Sequence, residues 1–304
     1  MALVILLAIR AAGHYRRVLV CAAMFGLVLA WWLSLKPSND RKWQGDVSHI
    51  AWAEVAPDDD TITIHNFRFC EYRAEFDYTC EWQIKTVKLS DLRGIDISIT
   101  YWGSAYIAHP IVSFWFGGDN YVAASIETRK EVGEGYSAVR GFFRQYELIY
   151  LFADERDIIR LRTNYRTGED VYLYRTIAKP EWARKLFIEY IRQANLLREQ
   201  PEWYNALTRN CTTAIFASMA RIGPLPKGTS RYDWRILLNG KSDEMLYNGG
   251  NFASKLPFPQ LKEAVHINDS ARQAGNSPYF SVMIRTGRPG FEETAGPPIN
   301  IPIH

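Results

Sequence analysis

Nucleophilic chemistry in this chain centres on Cys211, which lies in the run Arg209-Asn210-Cys211-Thr212-Thr213-Ala214-Ile215-Phe216. A short polar turn there opens an apolar helical period that continues through Ile215, Met219 and Ile222 and stops at Gly223-Pro224. A thiol at that point sits at the positive end of the helix dipole, which favours the thiolate. The same period turns it toward the protein core, where a base can meet it. Asn210 is the expected N-cap, and the first-turn N–H groups around Thr212 and Thr213 are donors for an oxyanion. A purely structural cysteine is the plain alternative, because free cysteine is among the most buried residue types.

Such a thiol needs a histidine to take its proton and a third group to orient the ring. Of six histidines, His14 precedes an apolar segment and His304 is the last residue, leaving His49, His65, His109 and His266. His109 begins the strand-like run His109 to Phe116, which forms a hairpin with Tyr121 to Thr128. Val112, Phe114 and Phe116 share one face of the first strand, and Val122, Ala124 and Ile126 share one face of the second. His109 and Ser113 then fall on the opposite face, as do Ser125 and Glu127. Matching the apolar faces requires an odd-length loop centred on Gly118, which sets His109 across from Glu127; a four-residue loop would set it across from Thr128. Glu127 is the expected third residue, fixing the tautomer and stabilising the imidazolium, with Ser125 as a nearby polar alternative. His266 ranks lower, since few strand-like segments follow Cys211. A hydrogen-bonded strand histidine is the plain reading of His109. Arg129, Glu131, Glu134, Glu155 and Arg156 suit a polar substrate and suit ion pairs equally well.

These groups need a sheet to carry the base and a helix to carry the thiol. Strand-like segments run over Val47 to Val55, Thr61 to Phe69, Thr79 to Leu89, Ile95 to Tyr101, Ile107 to Phe116, Tyr121 to Thr128, Leu148 to Phe152 and Asp170 to Arg175. A helix follows Lys179-Pro180, with Ala183, Leu186, Phe187, Tyr190, Ile191, Ala194 and Leu197 on one core-facing stripe. Beyond Gly223 the chain becomes loop-rich. The expectation is an α+β domain over residues 47–289, after a linker at 36–46 and before a flexible tail at 290–304. Pro57-Asp58-Asp59-Asp60 reads as a solvated turn rather than a metal loop.

At 304 residues and 47% hydrophobic, the chain is long enough for a substantial core. Its 36 basic and 33 acidic residues are interspersed, so no basic stripe points to nucleic acid. The four cysteines show no zinc spacing, and neither a metal nor a cofactor is expected. Cys70 and Cys80 lie on adjacent strand-like segments, and two readings fit them: a cross-strand disulfide, or two packed thiols. Residues 1–35 carry the uncharged run Val18 to Ser34, which reads as a membrane anchor, while Val28-Leu29-Ala30 keeps a cleaved signal segment open. Either reading puts the remainder in an oxidising space outside the cytoplasm.

Four stretches taken together resemble the Lnb N-terminal periplasmic domain family: His109 to Phe114, Ser125 to Glu131, Gly141 to Glu147, and Asn210-Cys211-Thr212-Thr213. The resemblance spans roughly Val47 to Gly287 and implies a circularly permuted papain-like (NlpC-type) fold, an antiparallel sheet packed on the cysteine-bearing helix. It implies Cys211 as nucleophile and His109 as base, in a bacterial inner-membrane protein whose catalytic domain faces the periplasm. The family takes its name from lipoprotein N-acyltransferases, which move an acyl chain from a phospholipid to the amino group of a lipoprotein. The implied activity is therefore acyl transfer, with a phospholipid or other acyl donor and a lipoprotein or envelope-peptide acceptor. Those enzymes carry a transmembrane region after the periplasmic domain, and nothing after Gly287 here has the apolar length to span. A thiol hydrolase of envelope peptides and a non-catalytic envelope scaffold are the alternatives.

Overall fold

The structure, a computed structural model, describes residues 2–230, 233–237 and 239–292. The chain forms two units, Met1–Ser38 and Asn39–His304. The first is one helix, α1 (Ala2–Ser34), whose 22-residue stretch Gly13–Ser34 is long and apolar enough to cross a membrane. Leu19, Phe25, Leu27 and Trp31 stand exposed along it, an arrangement that lipid favours and water does not.

The second unit is built on strands β1 (Trp52–Val55), β2 (Thr61–Ala74), β3 (Asp77–Lys88), β4 (Gly94–Trp102), β5 (Ser104–Trp115), β6 (Tyr121–Arg129), β7 (Glu147–Ala153) and β8 (Glu169–Arg175). They form one sheet in the order β1-β2-β7-β6-β5-β4-β8, with β3 paired to β2. Every pairing is antiparallel except β2 with β7, a parallel bridge at Arg68 and Ala153. The expected wholly antiparallel sheet is thus corrected at one junction. Parallel neighbours need a long connection, and the whole β3–β6 region supplies it. Cys70 lies directly opposite Cys80 in the β2–β3 register, and the two form a disulfide.

Helices α2 (Glu155–Arg160), α3 (Pro180–Glu199), α4 (Cys211–Ile222), α5 (Trp234–Leu237), α6 (Ser242–Asn248), α7 (Phe258–Ala264), α8 (Asn268–Ala274) and α9 (Phe280–Met283) complete the unit. The stripe Ala183, Leu186, Phe187, Tyr190, Ile191, Ala194 and Leu197 of α3 is buried against the sheet face that carries Val112, Phe114, Val122 and Ala124, together with α4. The opposite face carries Ile111 and Ala123 and is covered by α2, α8 and α9 through Ile158, Ile159, Ala271, Phe280 and Ile284. The central strands are therefore buried on both sides, and of the short helices formed after Gly223, α8 and α9 close the second face.

A buried ion cluster ties that layer down. Arg285 donates to Asp96 at 2.8 Å and to Glu155 at 2.7 Å, Ser113 donates to Glu155, and Arg175 pairs with Asp96. Three boundaries differ from expectation. Residues from Asn39 onward are held to the domain rather than linking to it: Asn39 donates to the Leu197 carbonyl and Trp43 bridges Glu131. Val47 lies in a 3-10 turn (Gly45–Val47), because Arg129 takes the Val47 and Ser48 carbonyls that a strand ladder would use. At the far end Phe291 is buried under Arg175, so the domain continues past residue 289; residues 293–304 of the expected tail lie outside the described residues.

Candidate active site

Cys211 is the first residue of α4, and Asn210 caps the helix: its side chain accepts from the Thr213 N–H at 2.8 Å while its own N–H donates to Thr213 Oγ1 at 2.8 Å. This reciprocal box fixes where the helix begins and therefore where the thiol lies. It also removes Thr213 from the expected oxyanion donors. The backbone donors nearest the sulfur are the N–H groups of Cys211 and Thr212, which no helical carbonyl can satisfy.

The base arrives from the sheet. Pairing of β5 with β6 runs from Trp115–Tyr121 to Ile111–Ser125, and carrying that register two residues further sets His109 across from Glu127. The β5–β6 ladder ends at Ile111 and Ser125, and a cleft opens among the residues beyond it: Ala108, His109, Ile126, Glu127 and Thr128, with Cys211 entering from α4.

Nε2 of His109 lies 2.7 Å from Ser125 Oγ and 3.0 Å from Glu127 Oε1, while Ser125 donates its own proton to Glu127 at 2.8 Å. With that proton committed, Ser125 can only accept from His109, so Nε2 carries a proton. Nδ1 is the nitrogen left for the thiol, and His109 and Cys211 line the same cleft. Glu127 is held in turn by Arg162 at 3.2 Å, and Arg162 also pairs with Glu169 at 3.3 Å. Both carboxyl and hydroxyl partners considered for His109 thus touch it.

Burial disfavours the imidazolium and the Arg162 charge opposes it too, but the Glu127 charge, with smaller contributions from Cys211 and from the contact with Glu127, outweighs them and raises His109 to about 9. Burial likewise disfavours the Cys211 thiolate, yet the hydrogen bond and charge of His109, with help from Thr212, bring the thiol below its ordinary value. Glu127, although burial opposes its charge, is held well below the carboxylate range by His109, Arg162 and Ser125. The three shifts agree on one state, a thiolate and an imidazolium backed by a carboxylate.

Two contributors carry no sequence signal of their own. Asn239 places Nδ2 at 3.8 Å from the Cys211 sulfur while its Oδ1 accepts from the Ala108 N–H at 2.9 Å, so the amide is aimed as a donor at the reacting atom. Arg162 comes from a π-helical turn, Leu161–Tyr165. The cleft holds about 580 Å³, and Lys130, Glu75, Glu134 and Arg166 stand with Trp102 and Tyr204 in its walls. The other sequence candidates lie elsewhere. His266 pairs with Asp170, His65 stacks on Trp52, and Glu155, Arg156 and Arg129 serve internal ion pairs or backbone carbonyls. Of the five charged residues considered for substrate, Glu134 alone lines the cleft. Asp58 accepts from the Thr61 and Asp60 N–H groups, as a turn requires.

A family model described as the Lnb N-terminal periplasmic domain matches residues 78–240, more than half of the 304 residues. The match opens within β3 and includes His109, Ser125, Glu127, Arg162, Asn210, Cys211 and Asn239. No curated protein and no solved structure matches the chain.

Proposed function

The chain belongs to the Lnb N-terminal periplasmic domain family, and from that premise we propose that it is an envelope acyltransferase working through a thioester on Cys211. A periplasmic family and an apolar N-terminal helix fit a membrane-anchored periplasmic protein. The observation that carries the proposal is Cys211 at the start of α4 sharing a cleft with His109, whose ring is held by Ser125 and Glu127. The same arrangement supports a permuted papain-like reading of the fold, with the histidine strand ahead of the cysteine helix.

In the proposed reaction, His109 Nδ1 holds the thiol proton and the thiolate attacks the carbonyl carbon of an ester. The oxyanion meets the N–H groups of Cys211 and Thr212 and the Asn239 amide. Collapse breaks the ester C–O bond, and the departing alkoxide takes the proton from His109. An amine then attacks the thioester and gives a proton to His109, and the sulfur leaves as thiolate, which restores the thiolate and imidazolium.

The broad polar cleft favours a second reading, hydrolysis of an envelope peptide, in which water replaces the amine. The deciding experiment supplies phosphatidylethanolamine with either an amine-bearing lipopeptide or a cell-wall peptide and follows intact mass. Acyl transfer requires an acyl adduct on Cys211 that passes to the lipopeptide and is missing in Cys211→Ala. Cysteine-dependent cleavage of the wall peptide without any acyl adduct would replace it with the hydrolase.

A further inference from the structure

We infer that a narrow apolar channel along α4 receives the hydrocarbon chain of an acyl group on Cys211; this rests on the proposed thioester and adds where its chain goes. Two cavities run along that helix. The inner one, about 20 Å³, lies between Thr212, Ile215 and Met219 of α4, Ile97 and Ile99 of β4, and Pro110 of β5. Thr212 lines the slot and its Oγ1 lies 3.8 Å from the Cys211 sulfur, so the slot begins beside the reacting thiol. The outer cavity, about 130 Å³, shares Ile97, Met219 and Leu246 with the inner one and continues past Trp182 and Phe252. It ends at Ile177 and Pro224, both exposed.

Its chemistry selects hydrocarbon. Ser242 donates to the Asn239 carbonyl, Thr176 to the Ile95 carbonyl and Asn251 to the Lys227 carbonyl, so these polar side chains in the walls are already engaged. A polar ligand would lose its hydration without finding those groups free, whereas a methylene chain loses nothing. The open cleft is the opposite case, with Glu75, Lys130, Glu134 and Arg166 in its walls. Cys211 to Met219 covers eight residues of helix, about 12 Å at the usual rise, so only a long chain reaches the outer cavity. Met219 lies at the join of the two cavities, and its unbranched side chain can rotate to widen the slot.

The test uses full-length protein carrying Cys21→Ser, which removes the exposed free thiol, and a long-chain alkyl methanethiosulfonate ending in a diazirine. The Cys211 thiolate attacks the sulfenyl sulfur, a disulfide forms and methanesulfinate leaves, so labelling needs no acyl donor or turnover. After irradiation, peptide mapping is expected to find cross-links at Trp182, Leu246 or Phe252, and Met219→Trp should move them to the cleft. Cross-links at Phe76, Trp102 or Tyr136 in the protein with Met219 intact would overturn the channel. The two proposals separate cleanly: channel cross-links without a phospholipid-derived thioester sink acyl transfer alone, and cleft cross-links alongside that thioester sink the channel alone.

Discussion

Cys211 and His109 each shift the titration of the other, and that coupling has a pH signature. Because the thiol is lowered and His109 is raised to about 9, thiolate and imidazolium coexist over the interval between the two. Iodoacetamide should alkylate Cys211 at mildly acidic pH, where an ordinary thiol is protonated, and His109→Ala should abolish that advantage and slow thioester formation about a hundredfold or more. Equal alkylation rates in the two proteins would remove His109 from the site. Glu127→Gln withdraws the charge that supports the imidazolium, so the alkaline limit of the interval should fall from about 9 toward the ordinary histidine value. The linkage has a definite sign. His109 is raised on folding, so its contribution to stability is complete below about 6.5 and is lost as pH rises through about 9. The melting-temperature gap between native protein and His109→Gln should narrow across that window.

Placement of the thiol is a property of an element end. Asn210→Ala removes the side-chain acceptor for the Thr213 N–H, which costs about 1 kcal/mol of stability. It also loosens the turn that sets the sulfur, so the variant should melt earlier and alkylate more slowly. The β2–β3 hairpin has its own fastening, the Cys70–Cys80 disulfide across 10 residues of sequence. Chain-entropy arguments give about 2–3 kcal/mol for a loop of that size. Non-reducing peptide mapping of protein isolated from the envelope should recover the two peptides joined, and Cys70→Ser with Cys80→Ser should lower the urea midpoint by a matching amount. Both thiols free would reject the bridge.

Across the whole domain, the C-terminal helices close the sheet face that the cysteine helix leaves uncovered. Arg285 is the fastening, fully buried between Asp96 of β4 and Glu155 of α2. Removing Arg285 leaves Glu155 buried with no cation and only the Ser113 hydroxyl, and leaves Asp96 with Arg175 alone, so Arg285→Ala should destabilise the protein by about 3–5 kcal/mol in equilibrium urea unfolding. A loss under about 1 kcal/mol, the range of exposed pairs, would show that the cluster is not dry. Because α2 precedes the turn that carries Arg162, the same variant should also weaken the support of Glu127. The expected readout is slower Cys211 alkylation while the domain is still folded.

Local rules were enough for the parts of the site that depend on periodicity. Alternation along His109 to Phe116 and Tyr121 to Thr128, with an odd loop about Gly118, already sets His109 across from Glu127, and a polar turn before Thr212 already places Cys211 at a helix start. Those patterns reside in neighbouring residues, where side-chain period and capping chemistry act directly. Tertiary structure alone decided that Arg162 reaches Glu127, that Asn239 turns its amide to the sulfur, that β2 runs parallel to β7, and that short helices beyond Gly223 cover the second sheet face. Each of these joins residues distant in sequence, and no period or cap encodes such a contact. It is selected when buried polar groups must find partners and two sheet faces must both leave water.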